Sequence, residues 1–363
     1  MSTSSPLEVP GSPASSKRSI SRDKIGEKFE SLGWQERKRL AEAALQSNSP
    51  SRWHRITGNV PAQRNRYMNV DPFAANRVQL KVPEGHDDYI NASPIELRAT
   101  QRDAVKKYVA TQLYEAGREK CFQYFPDSLD SPHMVVNEHD EFGDSVVFEI
   151  NLISVSEDER SRSTVRELEV KDRASGETKK VWHILWPVWP DFGVPEGAHK
   201  HMLASLIPLS REKNASETNP RIVHCSAGVG RSGTFIALDH LLSELAEGAL
   251  DEVPEGKDPV EETVDSLRTQ RMMMVQQETQ LALIYETLRD KWIDRWRERE
   301  GLPPLKRITG SDRGSSEEGG AESGAGAEAK RSGGIAEADE RDAKVARFAS
   351  ELEAELRQNA AAA

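Results

Sequence analysis

One glycine-rich stretch, residues 223–235 with the sequence VHCSAGVGRSGTF, constrains the fold of this chain more than any other feature. The short apolar run at 222–224 predicts a β-strand, and the apolar residues from Phe235 onwards predict a buried helix. A loop between a strand and a helix can wrap its backbone N–H groups around an anion, and the helix N-terminus adds to the same positive field. The sequence therefore predicts an anion-binding loop.

Cys225 and Arg231 lie at the two ends of this loop and give it reactive groups. A field that favours an anion also favours a thiolate, so we expect Cys225 to be a nucleophile. The planar guanidinium of Arg231 matches two phosphate oxygens. Together they predict transfer of a phosphoryl group to the cysteine, although a lone cysteine before a helix is more often a small buried hydrophobe.

The letters GVGRSG at residues 228–233 also match the G-x-G-x-x-G pattern of dinucleotide-binding proteins, which gives a remote alternative. That alternative requires a second parallel strand after the helix, ending in an acidic residue about 20 residues on. Asp251 and Glu252 instead lie in a loop with Pro and Gly that leads towards another predicted helix. The phosphoryl-transfer hypothesis is therefore preferred.

Composition excludes several classes of protein. The net charge of -11 argues against a nucleic-acid binder, because such proteins need a basic face to displace counterions from phosphates. No run of about 18 apolar residues occurs in the sequence, so we expect no membrane span. The chain has two cysteines, Cys121 and Cys225, which cannot form a disulfide framework. A reducing, intracellular compartment is therefore expected.

The low hydrophobic share of 36% indicates that part of the chain is unpacked, and the polar residues concentrate at both ends. We expect a single folded domain between its tails. The predicted divisions are a disordered Ser/Pro-rich tail at 1–22, the domain at 23–300, a flexible Gly/Ser/Glu-rich linker at 301–335 and a marginal helical tail at 336–363.

Within the domain, apolar periodicity predicts helices at both ends and strands between them. The mixture predicts an α/β (α+β) domain with a twisted, mixed β-sheet flanked by helices. The predicted elements are a helix at 23–46, strands at 145–155, 164–170 and 180–185, a hairpin loop at 174–177, a helix that starts near Asp258-Pro259, and a last helix at 276–297.

These residues resemble the cysteine-dependent, tyrosine-specific protein phosphatase family, in its fungal, non-receptor form. The stretch HCSAGVGRSGTF at 224–235 is similar to the signature loop of that family, and further blocks follow the family order over about residues 23–297. They are NRY at 65–67 (phosphotyrosine recognition), DYINAS at 88–93 and KCFQYFP at 120–126 (structural blocks), WPDFGVP at 189–195 (acid loop) and Gln276 with Gln280 after RMMMV at 271–275 (glutamine loop).

The resemblance implies a two-step hydrolysis with no metal or cofactor, in a phosphatase fold. Cys225 attacks phosphorus, Arg231 binds the phosphoryl oxygens, and Asp191 acts first as general acid and then as base. The other implied catalytic roles belong to three residues: His224 orients the loop, Ser232 donates to the departing thiolate and Gln276 places the attacking water.

The resemblance also implies a deep slot for phosphotyrosine, in which Tyr67 stacks on the substrate ring. Asn69 stands where many members carry an Asp that contacts the peptide backbone. The implied slot and loop residues are Val70, Phe192, Ser226, Ala227, Gly228, Val229, Gly230 and Gln280. The implied supporting residues are Trp189 and Pro190 in the acid loop, and Glu115 and Lys120, which either brace Arg231 and that loop or are surface charges.

We expect the partners to be phosphotyrosine-containing proteins, signalling kinases among them. We expect the protein to be a monomer that acts in the cytoplasm and also in the nucleus.

One departure from the family bears on activity. The residues YVATQ at 108–112 run straight into LYEAG at 113–117, where family members have a further helix and a central strand. The alternative to an active phosphatase is therefore an inactive or unstable phosphotyrosine-binding pseudophosphatase or splice product.

Overall fold

A computed structural model of the chain describes residues 21–45, 51–113, 123–143, 146–190 and 193–303. The tail at 1–22, the linker at 301–335 and the helical tail at 336–363 fall almost entirely outside these residues, and their predicted character stays a prediction.

Helices and strands are numbered in chain order over the described residues. The helices are α1 (Arg22–Leu45), α2 (Asn59–Arg64), α3 (Ala198–Glu212), α4 (Gly230–Glu247), α5 (Pro259–Gln270) and α6 (Glu278–Arg299), with a 3₁₀ helix at Ala74–Asn76. The strands are β1 (Ala92–Arg98), β2 (Val105–Gln112), β3 (His133–Val136), β4 (Phe148–Asp158), β5 (Ser163–Asp172), β6 (Thr178–Leu185) and β7 (Arg221–Cys225).

The strands form two sheets, in the orders β1-β2-β7 and β3-β4-β5-β6. β1 is antiparallel to β2, and β2 is parallel to β7, which sets Gln112 opposite Cys225. The second sheet is antiparallel throughout, with a bulge in β4 between Leu152 and Ser154. The predicted hairpin loop at 174–177 connects β5 to β6. The α/β (α+β) class with flanking helices is confirmed, with its strands divided between two sheets.

Helix α4 forms the centre of the core, because apolar residues cover most of its circumference. Ile236, Leu238 and Leu241 are almost fully buried. Helices α5 and α6 pack against α4, and α1 packs in turn against α5 and α6. Helix α5 begins as predicted, with the Asp258 carboxylate accepting the N–H groups of the next helical turn and Pro259 in the first position.

A buried carboxylate joins β2, β7, α3 and α4. Asp239 of α4 is fully buried and accepts hydrogen bonds from Arg211 Nε at 2.6 Å, from Arg221 Nη2 and from the Tyr108 hydroxyl. Burial by itself would raise the pKa of Asp239, but Arg221 and Arg211 outweigh it and hold that pKa below its usual value. The network thus holds Arg221, at the start of β7, through a carboxylate that is itself shielded from water.

We predict that Asp239→Ala lowers the free energy of unfolding by about 3 kcal/mol, because it removes the fully buried counter-ion of the partly buried Arg221 and Arg211. Since the pKa of Asp239 is depressed on folding, its stabilisation is present above about pH 3.9 and is lost as the pH falls through the folded value. Urea denaturation at neutral and acidic pH measures both effects.

The matched control is Asp251→Ala, which removes a more exposed carboxylate that pairs with Arg295 at 2.7 Å. We expect that substitution to cost less than about 1 kcal/mol. Equal costs for the two substitutions would contradict the role given to the buried network.

Candidate active site

The glycine-rich loop connects β7 to α4, so the predicted strand, loop and helix are confirmed. Cys225 is the last residue of β7, and Gly230 is the first residue of α4. The Cys225 sulfur accepts the N–H of Gly228 at 3.2 Å. The sulfur therefore lies inside the curve of the loop, next to the N-terminus of an 18-residue helix, where an anion is favoured.

Gly228 has a backbone that only glycine adopts without strain in this setting. Its φ is +71°, and a Cβ built there would lie 2.3 Å from the carbonyl oxygen of Thr111 in β2. Because β2 is paired with β7, the backbone of Thr111 in β2 packs directly against Gly228 of the loop. This contact fixes the backbone of Gly228, whose N–H donates to the Cys225 sulfur.

Gln276 and Gln280, predicted from the sequence, lie against the loop. A Cβ on Gly230 would lie 2.9 Å from Gln280 Nε2 and 3.4 Å from Gln276 Oε1. Gln280 also forms a reciprocal cap with Gln277 at the start of α6, which limits its rotamers. The fold thus brings both glutamine side chains to the loop, although they follow it by more than 40 residues in the sequence.

Arg271 supports the loop, although in the sequence it stands out only as the first residue of the RMMMV block at 271–275. Its side chain is fully buried and donates to the carbonyl oxygens of Gly228 at 2.9 Å and Ala227 at 3.1 Å. It also donates to Asn91 Oδ1 at 2.7 Å and to Ser93 Oγ at 3.1 Å, within the predicted DYINAS block. Burial lowers the pKa of Arg271 to about 10, so it remains a cation at neutral pH.

His224 and Ser232 flank the nucleophile. His224 Nε2 is 2.8 Å from the hydroxyl of Tyr124, and burial lowers the pKa of this histidine, which favours a neutral ring. Ser232 is almost fully buried, and its hydroxyl has no hydrogen-bond partner among the described residues. That hydroxyl is available to a group that forms during a reaction.

Tyr67 stands at the rim of the loop with its hydroxyl oxygen 2.6 Å from Ser226 Oγ. Its segment is held by Gln112, whose side-chain amide donates to Arg64 O at 2.7 Å and accepts the N–H of Arg66 at 2.9 Å. Tyr67 and Asn69 are exposed. Of the predicted slot residues, Val70 and Val229 lie in the hydrophobic core, and Ala227 is half-buried at the edge of that core.

The residues of the predicted acid loop are only partly described. Trp189 Nε1 donates to Gly193 O at 3.2 Å, and its ring contacts Trp186 edge to face with centroids 5.9 Å apart. Pro190 is exposed beside it. Asp191, Phe192, Glu115 and Lys120 lie outside the described residues, so the roles predicted for them remain predictions.

The dinucleotide hypothesis is wrong. Residues 193–303 are described without a gap, and α4 is followed by α5 and α6 rather than by a second parallel strand.

Over all the ranges that the structure describes, no group of three or more His, Cys, Asp or Glu residues could hold a metal ion. No described helix is both long and apolar enough to cross a membrane.

Comparison with known proteins gives a consistent result. A family model described as "Protein-tyrosine phosphatase" matches residues 61–113 and 108–290, in two segments that meet at 108–113. Tyrosine-protein phosphatase 1 of Saccharomyces cerevisiae is 33% identical over 313 residues, covering 71% of this chain and 91% of the relative. Tyrosine-protein phosphatase 1 of Schizosaccharomyces pombe is 32% identical over 292 residues, covering 72% of this chain.

The chain spans only about half the length of the S. pombe relative, with 50% of that protein covered. The solved structure of PTPN18 in complex with HER2-pY1196 phosphor-peptides is 24% identical, with a TM-score of 0.57, covering 74% of this chain and 93% of that one. At that identity the similarity supports the fold alone.

We predict that Gly228→Ala destabilises the protein and abolishes anion binding by the loop. The left-handed backbone costs an alanine about 1–2 kcal/mol, and the collision with Thr111 O adds about 1–3 kcal/mol. Urea denaturation measures the first effect, and calorimetric titration with inorganic phosphate measures the second.

Gly256→Ala is the matched control, because Gly256 also has a positive φ of +82° but no atom within 4 Å of the added Cβ. Gly256→Ala should lower the free energy of unfolding only by the strain of the left-handed backbone, and it should bind phosphate as the unmutated protein does. Phosphate binding by Gly228→Ala at the unmutated affinity would contradict the assigned geometry.

Proposed function

Because this chain belongs to the protein-tyrosine phosphatase family, we propose that it hydrolyses phosphotyrosine in proteins through a cysteinyl-phosphate intermediate. The observation that carries the proposal is the position of Cys225, whose sulfur accepts a loop N–H at the N-terminus of α4. An anion-binding loop with a nucleophile inside it suits a dianionic phosphate ester.

In the first step, the Cys225 thiolate attacks phosphorus, so an S–P bond forms as the bond from phosphorus to the tyrosyl oxygen breaks. Asp191 gives its proton to that oxygen, which leaves as a neutral phenol. Arg231 and the loop N–H groups stabilise the charge on the equatorial phosphoryl oxygens. His224 supports the loop from β7, through its contact with Tyr124.

In the second step, water attacks phosphorus, the S–P bond breaks and inorganic phosphate leaves. Gln276 and Gln280 place the water, and the Asp191 carboxylate takes its proton. Ser232, whose hydroxyl has no hydrogen-bond partner among the residues that the structure describes, donates it to the returning thiolate. The contacts of both glutamines with Gly230 support this assignment.

Selectivity for phosphotyrosine follows from the height of the rim above the nucleophile. We assign the walls of this slot to Tyr67, whose hydroxyl oxygen lies 2.6 Å from Ser226 Oγ of the loop, and, from the family resemblance alone, to Phe192. A phosphoserine side chain is too short to bring its phosphate to Cys225 past such walls. We therefore propose phosphotyrosine-containing proteins as the substrates, with signalling kinases among them. A monomer in the cytoplasm and also in the nucleus remains part of the proposal.

A second candidate is a phosphotyrosine-binding pseudophosphatase or an unstable splice product, which would lack the segment expected after Gln112. Two observations favour it. The family model matches in two segments that meet at 108–113, and among the described strands β7 pairs with β2 alone.

We predict that the purified chain hydrolyses a phosphotyrosyl peptide, with Cys225→Ser abolishing turnover and Asp191→Ala lowering kcat about 10²–10⁴-fold through loss of the general acid. Phosphate release measures turnover, and fluorescence anisotropy of a labelled phosphopeptide measures binding. Asp191→Ala should still bind the peptide.

A phosphoseryl peptide of the same sequence is the control for selectivity, and it should not be hydrolysed. Peptide binding without turnover by the unmutated chain would establish the pseudophosphatase instead. Equal turnover of the two peptides would contradict the slot.

A further inference from the structure

The segment that leads into Gln276 has a strained backbone. Met273 has a φ of 61° and Val275 a φ of 59°, values in the left-handed region that a side chain branched at Cβ rarely adopts. Such a conformation persists only where neighbouring groups hold it.

Helix α1 supplies one of the groups that hold this segment. The Glu36 carboxylate accepts the backbone N–H of Met273 at 2.6 Å, and Glu36 is only 8% exposed. From the next layer, buried Arg268 of α5 donates to Met274 O at 3.0 Å and to Val275 O at 2.9 Å. The Arg268 guanidinium also lies 3.7 Å from Glu36, so the two charges support each other.

The held segment is in turn attached to the phosphate-binding loop. The N–H of Val275 donates to Val229 O at 3.2 Å, and a Cβ on Gly233 would lie 2.5 Å from Val275 N. The next residue is Gln276, whose side-chain oxygen lies against Gly230. Glu36 in α1 is therefore connected to the glutamine beside the loop by one hydrogen bond to Met273 and by the short stretch of backbone from Met273 to Gln276.

We infer that Glu36 is a positioning residue for the second half-reaction, which it supports by holding the Met273–Val275 backbone so that Gln276 aims water at phosphorus. The inference rests on the proposed function. Water forms the new O–P bond, the S–P electron pair returns to Cys225, and the proton goes to Asp191. The first half-reaction needs no water, so the loss of Glu36 should slow the second half-reaction and not the first. Helix α1 lies outside the residues that the family model matches, yet it belongs to the catalytic apparatus.

The test compares Glu36→Met, which keeps the side-chain volume but loses the acceptor, with Glu36→Gln, which keeps an oxygen for the Met273 N–H. The substrate is p-nitrophenyl phosphate, followed by stopped flow and in the steady state. We expect kcat of Glu36→Met to fall about 10–100-fold, as for a misplaced nucleophile, while kcat/KM stays within about twofold. A burst of about one equivalent of p-nitrophenol per enzyme should precede the slow phase.

Glu36→Gln should recover most of the lost kcat, and Glu30→Ala, on an exposed part of α1, should behave as the unmutated protein. Equal falls in kcat and kcat/KM without a burst would show a merely structural role and overturn the inference.

If Glu36→Met does not fold, Arg268→Lys tests the same segment, because lysine keeps the positive charge but lacks the planar guanidinium that binds the Met274 and Val275 carbonyl oxygens. It should also show a burst with preserved kcat/KM, and equal falls there would overturn the inference.

Failure of the proposed function has a different signature. In that case the unmutated protein releases no p-nitrophenol at all, and mass spectrometry finds no phosphate on Cys225. Failure of the inference alone leaves the unmutated enzyme active and the Glu36 variants without a change in rate-limiting step.

Discussion

The site depends on one buried cation, the guanidinium of Arg271. A loop that turns its N–H groups inward towards an anion must turn carbonyl oxygens outward, and buried carbonyls need donors. Arg271 supplies donors to Ala227 and Gly228, and the same side chain is held by Asn91 and Ser93 beside β1. The positive charge also lies on the side of the loop that favours an anion at Cys225. One side chain thus shapes the loop and contributes to its field.

Local features were predictable because their causes are local. The strand, loop and helix around Cys225, the Asp258 cap of α5 and the bounds of α1 and α6 follow from periodicity and capping, and the ends of these two helices shift by one or two residues. The last helix begins at Glu278 rather than Gln276, because Gln277 and Gln280 form its cap. By contrast, the roles of Arg271 and Glu36 depend on partners about 40 to 240 positions away, which no local pattern encodes.

The division of the strands into two sheets was equally beyond local reasoning, since strand pairing is a long-range property. Its consequence for the site is that β7 carries the nucleophile with a strand partner on one side only, among the residues described. The strand is held instead by its ends. Asp239 binds Arg221 at the start, and the backbone N–H of Leu113 donates to Cys225 O at 3.0 Å at the end.

Helix α1 has a practical meaning for anyone who trims this protein. It packs on α5 and α6, with Leu32 fully buried and with Arg39 bound to Asp265 at 2.7 Å. A fragment that begins at residue 61, where the match to the family model starts, would lack α1. The surfaces of α5 and α6 that α1 covers would become exposed, and the Met273 N–H would lose its acceptor Glu36. The match to the family model therefore starts about 40 residues after the start of the first helix of the folded domain.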